Sequence, residues 1–254
     1  MRILYFTSTG NCLYVAKKIG GELLSIPQLQ KNNIYEINDD VVGIITPIYA
    51  WNIPRLVQHY LKNVKINAKY VFVLMTYGYV AMGAVSKIYK LLKNNNTQIH
   101  YANIIKMIDN YLPIFDISNE IKNKNVNDMD IKISFIINDI NSRRYYIQKQ
   151  CIFKTILSNI YSSYFLSSKY LKNAIKNFYV NDKCNGCNVC RKICPVGNII
   201  GLQKPEFSTR CEFCLACIHN CPMNAIHLKN ERSEERFINE NIALSEIIEA
   251  NIQI

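Results

Sequence analysis

The chain has 254 residues, 49% of them hydrophobic and 19% charged, with a formal net charge of +11. That balance supports a packed core and excludes global disorder, and the length allows one large domain or two modest ones. No apolar run approaches the roughly 18 residues of a membrane span, the start lacks a signal-peptide core, and the dispersed Lys and Arg form no nucleic-acid motif; the expectation is a cytoplasmic protein, with no nucleic acid as partner.

"RILYF", from Arg2, is a short strand candidate, and "CLYVAKKIGGELL", from Cys12 to Leu24, carries apolar residues at helical spacing. "VVGIITPIY" and "YVFVLMTYG", from Val41 and Tyr70, are near-continuous apolar runs that end in turn residues, which suits strands buried on both faces. "AVSKIYKLLK", from Ala84, reads as a helix and "QIHYANIIKM", from Gln98, as another strand. Such alternation predicts an α/β fold with a doubly wound parallel sheet, whose ligands sit beyond the carboxyl ends of the strands.

Three loops fall at those ends. "TSTGN" (Thr7, Ser8, Thr9, Gly10, Asn11), followed by Cys12, places hydroxyls and backbone N–H groups at a helix start, as an anion site or a simple cap would. "PIYAWNIP" supplies Pro47, Tyr49, Ala50, Asn52 and the only tryptophan, Trp51, either as a rigid aromatic wall for a flat ring or as a buried contact. "TYGY" adds Thr76, Tyr77, Gly78 and Tyr79. No G-x-G-x-x-G is present, so a dinucleotide fingerprint is absent.

After "DNYLP", at Asp109 to Pro113, the chain loses its motifs. "NKNVNDMDIK", residues 123–132, reads as a loop, and "ISFIINDI" is ambiguous between helix and strand. In "CIFKTILSNIYSSYFL", Phe153, Ile156, Ile160 and Tyr164 share one helical stripe and are expected to pack inward, with Cys151 a buried small hydrophobe. The tail from Ser233 to Ile254 reads as an acidic amphipathic helix docked on the rest.

Eight of the ten cysteines fall in two runs of the form C-x2-C-x2-C-x3-C-P, beginning at Cys184 and Cys211. Tight x2 spacings wrap three thiolates round a cube of iron and sulfide, and the fourth ligand comes from the other run. One cluster would take Cys184, Cys187, Cys190 and Cys221, the other Cys211, Cys214, Cys217 and Cys194. A zinc site leaves four of these cysteines and both prolines unexplained, and a disulfide knot conflicts with a reducing compartment. The segment has too few apolar residues for a core of its own, and His219 reads as an exposed bystander.

With these residues, the chain resembles flavodoxins over residues 1–112 and bacterial two-cluster ferredoxins over 179–229. The whole is similar to the flavodoxin–ferredoxin fusion proteins of anaerobes, with a helical connector at 113–178 and a tail at 230–254. The resemblance implies a flavodoxin-like sheet followed by a small α+β ferredoxin-like domain, with FMN and two [4Fe–4S] clusters as cofactors. "TSTGN" would hold the flavin phosphate, and the Trp51 and "TYGY" loops would flank the ring. Two departures stand out: Cys12 replaces a usual hydroxyl residue, and Asn52 stands where glycine often supplies φ > 0. The implied role is electron relay among the cofactors and redox partner proteins, acidic ones matching the positive charge. A flavin-dependent oxidoreductase on a small organic substrate, and a redox sensor, are the alternatives.

Overall fold

A computed structural model describes residues 1–123 and 126–254. The chain opens with β1 (Arg2–Tyr5), α1 (Asn11–Ile19), β2 (Glu22–Ser25), α2 (Ile26–Lys31), β3 (Glu36–Asn38), β4 (Val41–Pro47) and α3 (Arg55–Asn63). It continues through β5 (Lys65–Asn67), β6 (Tyr70–Tyr77), α4 (Ala84–Asn94), β7 (Tyr101–Lys106), α5 (Ile117–Lys122), α6 (Val126–Asn141) and β8 (Tyr146–Ile147). Then come α7 (Ile152–Phe165), α8 (Ser168–Ile175), β9 (Phe178–Val180), α9 (Val189–Lys192), α10 (Ala216–His219), β10 (Ile226–Leu228) and α11 (Leu244–Asn251).

Six parallel strands form the main sheet in the order β2-β1-β4-β6-β7-β8. Counting only these strands, the order is the flavodoxin-like 2-1-3-4-5 arrangement with one short strand added at the edge. The buried runs of β4 and β6 explain why they hold the centre: both faces of the sheet are covered. Leu56, Tyr60, Ile88 and Leu92 of α3 and α4 pack on one face, and Leu13, Val15, Ile133 and Ile136 of α1 and α6 on the other. Gly43 of β4 lies opposite Phe72 of β6, and any side chain there would collide with that ring.

The cysteine-rich segment follows its own repeat. Positive φ recurs 27 residues apart: Gly186 and Phe213 (72° and 53°), Asn188 and Leu215 (59° and 58°), Gly197 and Asn224 (56° and 45°). β9 and β10 pair antiparallel beside the two loops. The module's core is shared with the main body, since Ile108, Leu112 and Ile117 pack against Phe178, Leu215, Ile218, Ile226 and Phe237.

Several sequence expectations change. "CLYVAKKIGGELL" is helical only to Ile19; the two glycines, both at positive φ, end it, and Glu22–Ser25 is strand. Of the expected loop at 123–132, Lys124 and Asn125 lie outside the described residues, and the rest from Val126 is helix, as is "ISFIINDI". The tail is helical only over Leu244–Asn251. Cys151 is exposed, and the stripe of α7 faces outward. Among the described residues no helix is long and apolar enough to cross a membrane.

Candidate functional site

The parallel strands β1, β4 and β6 bring their C-terminal loops to one edge of the sheet. After β1 the chain turns through Thr7–Gly10 into α1, and Gly10, at φ 95°, closes the loop by donating its N–H to Thr7 Oγ1 (3.1 Å). A side chain at Gly10 would press on Asn239 and Ile242. The three loop carbonyls are each taken from behind. Asn251 Nδ2 donates to Thr7 O (2.9 Å), Asn220 Nδ2 to Ser8 O (3.0 Å) and Asn239 N to Thr9 O (2.8 Å). With its acceptors engaged there, the loop offers an anion its hydroxyls and the N-terminus of α1 without carbonyl repulsion.

In the second loop, Tyr49 and Asn52 exchange backbone hydrogen bonds of 2.8 and 2.9 Å. The residues between them, Ala50 and Trp51, have φ of 46° and 59°, the pattern of a type I′ turn. Positive φ thus falls on Ala50 and Trp51, not on Asn52 as expected. Lys87 holds the strained turn: its Nζ donates to Trp51 O (3.2 Å), Ser158 O (2.9 Å) and Ser162 Oγ (2.7 Å). The indole lies against Tyr161 of α7, ring centroids 4.0 Å apart. In the third loop, Tyr79 N and Tyr111 N donate to the two carboxylate oxygens of Asp109, each at 3.1 Å. A side chain at Gly78 would run into that carboxylate, so glycine is required there. Burial raises the Asp109 pKa.

These loops enclose a cavity of about 480 Å³, within the range of ligand sites. Thr7, Ser8, Thr9, Asn11, Cys12, Pro47, Tyr49, Ala50, Trp51, Thr76, Tyr77, Gly78 and Tyr79 all line it. Gly10 and Asn52 do not, although both were expected to; Gly10 packs against the tail, and Asn52 Nδ2 turns to Ser162 Oγ (3.3 Å). The Cys12 thiol meets Thr76 Oγ1 at 3.2 Å, and burial pushes its pKa up to about 12, so it stays protonated. Tyr161, Phe165 and Tyr170 from α7 and α8 close the cavity, and Phe213 and Cys214 enter from the second cysteine run. Sequence reading missed this wall. Its one signal was the i, i+4 pair Tyr161 and Phe165, on the side of α7 away from the apolar stripe.

The cysteines group across the two runs. Cys184, Cys187, Cys190 and Cys221 line one small recess. The pKa of Cys190 is raised to about 11 by burial, with Cys221, Cys187 and Cys184 adding to it. Cys211, Cys214 and Cys217 are raised by burial, and Cys194 is a neighbour of each. Four thiols gathered this closely require positive charge to ionise together, which an iron centre would supply. Backbone N–H groups of Asn198, Phe213 and Ala225 already point at Cys194, Cys211 and Cys221 Sγ, at 3.1, 3.3 and 3.3 Å. Among the described residues no three side chains converge on a single ion; a cube binds each thiolate to a different iron and spreads them wider.

His219 is not the exposed bystander expected. It is 2% exposed, accepts at Nδ1 from Phe237 N (3.2 Å) and donates from Nε2 to Asn110 O (2.8 Å). One ring nitrogen thus ties the cysteine loop to the segment after β7 and the other ties it to the C-terminal tail. Glu212, also buried, bonds Leu56 N (3.2 Å) at the start of α3 and pairs with Arg55 (3.3 Å).

No family model matches the chain, and no curated protein matches it. Among solved structures it is similar to a flavoprotein in complex with FMN from Lactobacillus acidophilus, at 16% identity and TM-score 0.30, over 41% of this chain and 91% of that one. A flavodoxin from the domain Archaea is 10% identical with TM-score 0.31, over 54% of this chain and 97% of that one. A Trp repressor binding protein from Bacillus subtilis is 9% identical with TM-score 0.32, over 42% and 83%. Strand order, rather than these likenesses, identifies the fold.

Proposed function

We propose that the chain is an electron-transfer protein that holds FMN in the three-loop cavity and a [4Fe–4S] cluster in each crossed set of cysteines, as in flavodoxin–ferredoxin fusion proteins. When bound, the flavin exchanges one or two electrons and each cube passes one. The observation that carries this reading is the place of Cys214: it belongs to the second cysteine set and also lines the cavity. The set of Cys211, Cys214, Cys217 and Cys194 therefore adjoins the flavin site, and the set of Cys184, Cys187, Cys190 and Cys221, with Cys187 exposed, faces outward. One chain keeps these sites at fixed separation, so transfer between them needs no encounter. The Thr7–Thr9 loop would take the phosphate, and Trp51 and Tyr77–Tyr79 would flank the ring. The positive net charge favours acidic redox partner proteins in solution.

The aromatic wall of Tyr161, Phe165 and Tyr170 favours a second reading, in which a flat organic substrate is oxidised or reduced against the flavin. Anaerobic purification with iron, sulfide and flavin analysis tests the cofactor set; FMN and about eight irons per chain are expected for two cubes. FAD, or no flavin uptake by the apoprotein, would overturn the flavin assignment. Rapid bleaching by NADPH alone would favour the enzyme over the carrier.

A further inference from the structure

Helix α7 is built inside out. Ile152, Phe153, Ile156, Leu157, Ile160 and Tyr164 are 79, 72, 55, 42, 69 and 63% exposed. Ser158 and Ser162 are 0% and 3% exposed, with Ser158 seated where a side chain at Gly83 would clash. At about 100° per residue, the six apolar positions cover about 140° of the helix surface, directly opposite the two serines. A contiguous apolar face of this kind marks an interaction surface.

Its surroundings define the occupant by charge. Residues 142–181 contain seven Lys and Arg and not one Asp or Glu. Lys149, Lys154, Lys169, Lys172 and Lys176 are exposed, and among the described residues none of them makes an ion pair. We propose that α7 lies in the interface of an anionic lipid bilayer, its apolar face among the acyl chains and the lysines of the connector on the headgroup phosphates. A short helix with bulky aliphatic side chains on one side, in a stretch of chain whose charged residues are all basic, suits that plane. A second copy of the chain would set like charges against each other, and four of the six outward residues are Ile or Leu rather than the types that protein interfaces favour. The opposite side of the same helix carries Tyr161 and Phe165, so the bilayer would lie one helix away from the cavity.

The test is flotation of the purified, cofactor-loaded full chain with phosphatidylcholine vesicles, with and without phosphatidylglycerol. Binding to the anionic vesicles, weakening with salt, is expected. Ile156→Asp/Ile160→Asp should lower partition by about tenfold or more, and Lys169→Glu/Lys172→Glu should weaken it, both with unchanged flavin content and circular dichroism. All four side chains are exposed, so either pair serves if the other misfolds. Absence of flotation with anionic vesicles at low salt would overturn the proposal, as would flotation that survives the isoleucine changes. So would a doubled mass in light scattering that Ile156→Asp/Ile160→Asp abolishes, since a second copy would then cover the face.

Discussion

Trp51 occupies a left-handed backbone conformation that costs a bulky residue about 1–3 kcal/mol, and three contacts hold it there. The Tyr49–Asn52 bonds close the turn, Lys87 caps the Trp51 carbonyl, and Tyr161 covers one side of the ring. Trp51→Ala should weaken FMN binding by about 1–3 kcal/mol, read from the flavin fluorescence of a titration; equal affinities would make the indole a packing residue only. Lys87 carries a pH dependence. Burial lowers its pKa from 10.5 to about 8, so between those values the unfolded chain keeps a proton that the folded chain has lost. Stability at this site therefore rises with pH across that window. Denaturant unfolding of the wild type relative to Lys87→Met, at pH 7.5 and 9.5, should show the relative stability of the wild type increase; an unchanged difference would remove Lys87 as the cause. Local spacing sufficed to single out Gly78 and Cys214, and the structure brings both to the lining of one cavity. His219 was misread because distant segments, at Asn110 and Phe237, bury it, and Asn52 because the local turn is centred one residue earlier than expected.

At the scale of elements, the two cysteine runs behave as one device. Cys221 of the second run lies with Cys184, Cys187 and Cys190 of the first, the grouping that the proposed crossed clusters would use. Cys221→Ser should thus change the same paramagnetic signal as Cys187→Ser, and Cys194→Ser the same as Cys214→Ser. A Cys221→Ser spectrum matching that of Cys214→Ser would mean that each run closes its own cube. Strands β1, β4, β6 and β7 were readable because both faces of the sheet are buried and their apolar runs are nearly unbroken. β2, β3 and β5 were not, being short strands whose pairing partners lie elsewhere in the chain, nor was the six-residue α2. For α7, periodicity found the apolar stripe but could not say which way it faces. Packing on Gly83 and Lys87 turned the serines inward instead.

Across the whole molecule, the cysteine module and the tail complete the first loop of the sheet. Asn251 and Asn220 are 0% and 2% exposed, and each spends its amide on a carbonyl of that loop. Replacing Asn251 by Leu, near in size, leaves Thr7 O without its donor and should cost about 1–3 kcal/mol of stability. FMN affinity should fall with it, although Asn251 does not line the cavity. Equal unfolding midpoints for the variant and wild type would show that water serves Thr7 O as well. Nothing in local sequence announces such a bond, because Thr7 and Asn251 are 244 residues apart. That separation also sets a schedule for synthesis. At ~5–20 residues per second, a ribosome makes the partner of Thr7 roughly 10–50 s after Thr7 itself. The sheet can assemble while translation continues, but its first loop waits with carbonyls turned to water. The earliest part of the site to be made is thus the last to be finished.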